Sequence, residues 1–200
     1  MPFIVSLQGG MAAGKTTLAK RLQERLQDVR VSFENPSDAV NRVKELGLDK
    51  FKEQDFIEIQ RIFINAEIER YQRLKENSKV IIDLGPEEIE FYTLFFPRSI
   101  GQTWDVETQL AGELKALREC RLDGILFLDA SPEVLTARKT SDETRRRGFF
   151  EHYLKGLHSY KKIWFEQVKR ATIMNVAELS IEETEAYAVD WLKGIDSLKQ

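Results

Sequence analysis

Five short apolar runs recur along the chain, each closed by glycine, proline or a polar residue, with longer stretches of helical period between them. The first, Pro2–Gln8, reads Pro-Phe-Ile-Val-Ser-Leu-Gln and predicts a buried strand. Val29–Phe33, Lys79–Leu84, Gly124–Asp129 and Thr172–Val176 predict four more. Short strands alternating with helices imply a parallel sheet covered on both faces. The helical stretches carry their own punctuation. Leu18 and Leu22 share a face after the first strand, and Pro36-Ser37 opens a helix that closes near Gly47. A long pattern over 51–76 carries Phe56, Ile57, Phe63, Ile64, Ile68, Tyr71 and Leu74. Two further helices are expected over 87–96 and 106–120, separated by a loop at Pro97–Gly101. Ser131-Pro132-Glu133 has the form of an N-cap followed by an N1 proline, and Ser180-Ile-Glu-Glu183 that of a capping box. The expected fold is α/β, a three-layer α/β/α arrangement around a five-stranded parallel sheet.

Two hundred residues without internal repeats or a low-complexity linker predict a single domain over 1–200. Apolar residues make up 42 % and charged residues 32 %, a balance that suits a packed globular chain and excludes wholesale disorder. No apolar run approaches the ~18 residues of a membrane span, so no membrane association is expected. The first strand begins at the second residue, which leaves no room for a leader. Cys120 stands alone, which argues against a disulfide framework or a cysteine-based metal site and for a cytoplasmic setting.

The chemistry begins where the first strand ends. Gly9-Gly10-Met11-Ala12-Ala13-Gly14-Lys15-Thr16 fits G-x-x-x-x-G-K-[ST] at every fixed position and sits between a strand and a helix, the context the motif requires. Gly9 and Gly14 let the backbone turn so that successive N–H groups face phosphate oxygens, and the new helix adds its positive end. Lys15 can reach the β- and γ-phosphates and the Thr16 hydroxyl can ligate Mg²⁺. The expected nucleotide site is 9–16 together with Thr17, with a nucleoside triphosphate and Mg²⁺ as cofactors.

Ligands of such sheets gather at the carboxyl ends of the strands. Three predicted strands finish in or beside an acid: Glu34, Asp83 and Asp129. Asp83 and Asp129 compete as the carboxylate for Mg²⁺, which in phosphate sites needs only one or two. Glu34, followed by Asn35-Pro36, is held in an extended turn where it can take a proton from an attacking hydroxyl.

Charge changes the picture once it is divided. From Arg138 to Arg170 the chain has ten basic and four acidic residues, a local +6; with a total of −3, the remainder carries −9. The concentration at Arg138, Arg145, Arg146 and Arg147 lies between the fourth and fifth strands, where a helical, arginine-rich lid over about 138–150 could close on a nucleotide. The acidic remainder speaks against a general nucleic-acid coat.

Several of these segments resemble the P-loop deoxynucleoside kinases. Gly124–Arg138 looks like that family's strand, Ser/Thr-Pro-Glu and lid-helix entry, and Tyr153-Leu-Lys-Gly-Leu-His158 followed by Trp164 is similar to its Tyr-Leu-x-x-Leu-His helix. Phe33-Glu34-Asn35-Pro36 resembles its Glu-Pro element, and Phe56-Ile-Glu-Ile-Gln60 its Phe-x-x-x-Gln stretch. The resemblance implies a nucleoside/nucleotide-kinase type of sheet, ATP as donor and the 5′-hydroxyl of a deoxynucleoside as acceptor. It implies Glu34 as general base, lid arginines on the transferring group, and a helix-mediated homodimer. Gln60 would face the nucleobase, with Phe56, Phe63 and Tyr92 around it. Two departures bear on the acceptor. Asp83-Leu84-Gly85 stands where the family has Glu-Arg-Ser, and the lid is short. A nucleoside monophosphate kinase, another metabolite or antibiotic kinase, and a regulatory nucleotide-binding protein are the alternatives.

Overall fold

The computed structural model describes residues 2–141 and 148–197. All five expected strands form: β1 (Phe3–Gly9), β2 (Arg30–Ser32), β3 (Lys79–Asp83), β4 (Gly124–Asp129) and β5 (Ala171–Asn175). They make one parallel sheet in the order β2-β3-β1-β4-β5. Leu7 of β1 lies beside Asp83 on one flank and Leu126 on the other, so the acid that ends β3 stands two residues short of the end of the central strand. Every residue of β1 is buried, as a strand covered on both faces must be. The fold is therefore the α/β class read from the sequence.

The chain forms two compact units. The first holds 1–33, 77–84 and 122–200, and so the whole sheet. Its helices are α1 (Lys15–Arg25), then, numbered in chain order after the five helices of the second unit, α7 (Pro132–Ser141), α8 (Phe150–Gly156), α9 (His158–Glu166) and α10 (Ile181–Ser197). Leu18, Ala19 and Leu22 bury one face of α1, the spacing of a helix lying on a core. The capping box of α10 closes in both directions: the Ser180 amide donates to Glu183 Oε2 at 2.8 Å, and the Glu183 amide to Ser180 Oγ at 3.1 Å. Ser131 Oγ likewise accepts from the Val134 amide at the start of α7.

The second unit, 34–76 and 85–121, is helical: α2 (Ser37–Glu45), α3 (Glu53–Leu74), α4 (Pro86–Ser99), α5 (Val106–Gln109) and α6 (Ala111–Arg118). Phe56, Ile64 and Phe91 anchor its core. Gly47 ends α2 at φ +64, and the Leu48 and Gly47 amides reach back to the Val43 and Lys44 carbonyls, the pair of bonds that closes a glycine-terminated helix.

Several strand and helix ends shift by a residue or two from the expectation, and two helical boundaries differ by more. The helix over 106–120 is broken at Leu110, whose backbone leaves helical geometry (φ −115, ψ 23) while its side chain is fully buried. Val106, Leu110, Leu114 and Leu117 share one apolar face, so the period runs straight through a break that tertiary packing imposes. The loop placed at Pro97 begins three residues later, at Ile100, and Pro97 is buried within the last turn of α4. No helix among the described residues is long and apolar enough to cross a membrane.

Candidate active site

The turn from β1 into α1 has the strained backbone that its sequence requires. Gly9 is at φ +139, and a Cβ there would stand 2.3 Å from the Leu128 carbonyl oxygen of β4. Gly14 is at φ +100 with open space around it, and Ala12, a residue with a Cβ, is held at φ +66. Such conformations persist only where the surroundings over-determine them, and they collect at ligand sites. α1 starts at Lys15, so its positive end faces the turn. Lys15 Nζ donates to the carbonyls of Gly9 at 3.2 Å and Gly10 at 2.8 Å, folding the lysine over its own loop.

The acids at the strand ends separate into two environments. Thr16 Oγ1 donates to Asp83 Oδ2 at 2.9 Å, joining the second residue of α1 to the last of β3. Asp83 is 4 % exposed. Asp129, by contrast, is occupied by Lys162, whose Nζ lies 2.7 Å from Asp129 Oδ2, and that carboxylate raises the lysine above its ordinary value. A hydroxyl paired with a carboxylate beside a phosphate-binding turn is an all-oxygen donor set, the chemistry Mg²⁺ prefers. No group of three or more His, Cys, Asp or Glu side chains able to hold a metal occurs among the described residues. A phosphate-bound Mg²⁺ needs no such cage.

Further side chains approach the same turn, among them Arg138, expected at the nucleotide, and Lys161 and Tyr153, for which the sequence offered no role. Lys161 of α9 donates to the Gly9 carbonyl at 3.0 Å, and Tyr153 of α8 brings its hydroxyl 3.0 Å from where a Cβ on Gly10 would stand. Arg138 donates from NH1 to the Ala13 carbonyl at 3.3 Å and from NH2 to the Val176 carbonyl. His158 approaches the Ala130 carbonyl through Nε2 at 3.2 Å. The one sequence signal that touches Lys161 is its place inside the Tyr153–Trp164 segment.

The remaining expected residues lie in the second unit. Glu34, its first residue, is exposed, and Asn35 Oδ1 accepts from the Ser37 amide in the turn that follows. Phe56 is buried, stacked on Phe96 with centroids 5.4 Å apart and tilted against Trp104. Phe63 and Tyr92 are half-buried, Tyr92 edge-on to Phe91 at 5.5 Å. Gln60 is also half-buried, with its amide 2.8 Å from Thr93 Oγ1, a hydroxyl that is equally close to the Ile89 carbonyl. One hydroxyl proton serves one acceptor at a time. Whichever amide atom faces Thr93, its orientation is fixed from inside the unit. Arg145, Arg146 and Arg147 lie outside the described residues.

Comparison with known proteins bears on the family and the fold. The AAA domain family model matches residues 4–172. No curated protein matches the sequence. Among solved structures, deoxyadenosine kinase from M. mycoides with bound dATP aligns at a TM-score of 0.71, covering 96 % of this chain and 100 % of that one at 14 % identity. Deoxyadenosine kinase from the same organism with products dCMP and a flexible dCDP bound gives a TM-score of 0.70 at 15 % identity, with the same coverage. At such identity the likeness is one of fold.

Proposed function

The chain belongs to the AAA domain family, and on that premise we propose that it is an ATP-dependent kinase moving the γ-phosphoryl group to the 5′-hydroxyl of a deoxynucleoside. The observation that carries this reading is the 2.9 Å pairing of Thr16 with Asp83 directly beside the Lys15 turn. A turn that only needed to be tight would require neither a hydroxyl on the helix nor a buried acid at the adjacent strand end. The fold shared with a deoxyadenosine kinase favours a nucleoside-type acceptor over other small alcohols.

In this reading the loop amides and Lys15 hold the triphosphate, and Lys15 leaves the Gly9 and Gly10 carbonyls to reach the phosphate oxygens. Thr16 and Asp83 would hold Mg²⁺. When bound, the ion neutralises charge on the β- and γ-phosphate oxygens. Glu34 accepts the proton of the attacking hydroxyl as the O–P bond forms. Arg145, Arg146 and Arg147 supply charge to the transferring group, while Arg138 braces the Ala13 carbonyl of the phosphate turn. Gln60, its orientation set through Thr93, addresses the nucleobase among Phe56, Phe63 and Tyr92.

The departure at Leu84-Gly85 makes the acceptor the decisive variable. ATP consumption measured with a panel of nucleosides, deoxynucleosides and nucleoside monophosphates tests the reading. Turnover on one or more deoxynucleosides is the expected result. Turnover confined to monophosphates would assign a nucleotide kinase instead, and none on any acceptor would overturn the nucleoside reading.

A further inference from the structure

A lysine with no part in the chemistry above is buried against the phosphate turn. Lys161 is 1 % exposed, a rare state for this side chain. Its Nζ donates to the Gly9 carbonyl at 3.0 Å and stands 5.7 Å from the centroid of the Tyr153 ring, within reach of a cation–π contact. Tyr153 is itself fully buried and abuts Gly10. Lys15 reaches the same Gly9 oxygen at 3.2 Å, so two lysines from different elements, α1 and α9, converge on one carbonyl of the turn. Solubility does not explain a lysine in this position, and packing alone would favour an apolar side chain, since taking an amine out of water is unfavourable without a partner.

The two lysines differ in what nucleotide binding asks of them. Lys15 must give up the Gly9 and Gly10 carbonyls to reach a phosphate. Lys161, buried beneath Tyr153, can stay. We propose that Lys161 is a positioning residue of the nucleotide site: it keeps the Gly9 carbonyl hydrogen-bonded while Lys15 exchanges that oxygen for phosphate. The turn thus holds its phosphate-accepting shape, and the release of Lys15 is offset. This inference rests on the reading of the turn as a nucleotide site.

Titration of the full chain with Mg-ATP, together with steady-state kinetics on the best acceptor of the panel, tests it. In Lys161→Met the Kd and KM for ATP should rise about tenfold, the weight of one charge-assisted hydrogen bond, with kcat changed by less than about threefold. Lys161→Arg, which keeps charge and donors, should bind within about threefold of the native chain. A merely structural lysine would lower the folded fraction and leave the Kd of the folded remainder untouched. Binding by Lys161→Met within about twofold of native, or equal losses in the Met and Arg variants, would overturn the proposal. Should Lys161→Met not fold, Lys161→Gln carries the comparison: weaker binding by about threefold or more is expected, and native binding overturns. Failure of the native chain to bind Mg-ATP would instead remove the nucleotide reading, and this proposal with it.

Discussion

The Thr16 hydroxyl donates to Asp83 at 2.9 Å, while the other acid able to serve a metal, Asp129, is tied to Lys162 at 2.7 Å. The two carboxylates are alike in sequence, each closing an apolar strand, and differ only in what the fold sets beside them. Asp83→Asn is therefore expected to lower kcat by about 10²-fold, as removal of a group that organises transition-state charge does. Asp129→Asn should fall at least about tenfold less. Its pair has a lysine side chain 43 % exposed, and such partly open pairs contribute no more than about 1 kcal/mol. Steady-state rates of both variants at saturating ATP, across a Mg²⁺ titration, make the comparison. Equal losses would show that both acids serve the site.

The two glycines that frame the phosphate turn should fail differently. At Gly9 a Cβ would meet the Leu128 carbonyl oxygen at 2.3 Å on a backbone at φ +139, and the obstacle is a strand of the central sheet rather than a flexible side chain. Gly9→Ala is expected to be destabilised by about 3 kcal/mol or more, or to yield no folded protein. At Gly14 the backbone is left-handed, φ +100, but nothing stands within 4 Å of a Cβ. Gly14→Ala should therefore lose only the conformational term, about 1–2 kcal/mol. Urea unfolding of the two variants gives the contrast directly.

The framework was legible where short-range chemistry decides. β4 keeps the bounds that its apolar run predicts, the Ser180–Glu183 capping box forms, and Gly47 closes α2 at positive φ. Each depends on residues within a few positions of one another. The break at Leu110 was not legible, because an uninterrupted apolar period cannot show that the chain turns to seat one leucine. The candidate site divides in the same way. The phosphate turn is contiguous and could be read, and the rule that ligands gather at strand ends led to Asp83 and Asp129 without separating them. Lys161 could not be found, since its partners, Gly9 and Tyr153, are set beside it only by the fold.

Glu34 and Lys15 should separate proton transfer from nucleotide binding. Glu34 is an exposed side chain at the head of the helical unit and makes no part of the phosphate turn. Glu34→Gln is expected to reduce kcat by about 10²-fold or more, the contribution of a general base, with the Kd for Mg-ATP unchanged. Lys15→Ala should abolish transfer and weaken nucleotide binding as well, because in the proposed function Lys15 is the side chain that meets the phosphates. Calorimetric titration paired with turnover measurements distinguishes them. Full turnover in Glu34→Gln would remove the base assignment.

The clamp between α1 and α10 gives a stability prediction with a definite pH sign. Glu185, 9 % exposed at its side chain, accepts from Arg21 Nε at 2.5 Å and from Arg25 NH1 at 3.0 Å. The bond from Arg21, and next that from Arg25, hold its carboxyl below the ordinary value of 4.5. A carboxyl whose folded value is depressed contributes stability that is fully present above its unfolded value and disappears as pH falls through the folded one. Glu185→Gln should therefore unfold at a lower Tm than the native chain at pH 7. The gap should stay constant down to about pH 5 and close progressively as the pH falls further below 4.5, when the native carboxyl takes up its proton. Thermal unfolding of both chains between pH 7 and pH 3 measures the gap. A gap that did not narrow at all as the pH falls below 4.5 would mean that the glutamate stabilises α10 through packing rather than through its charge.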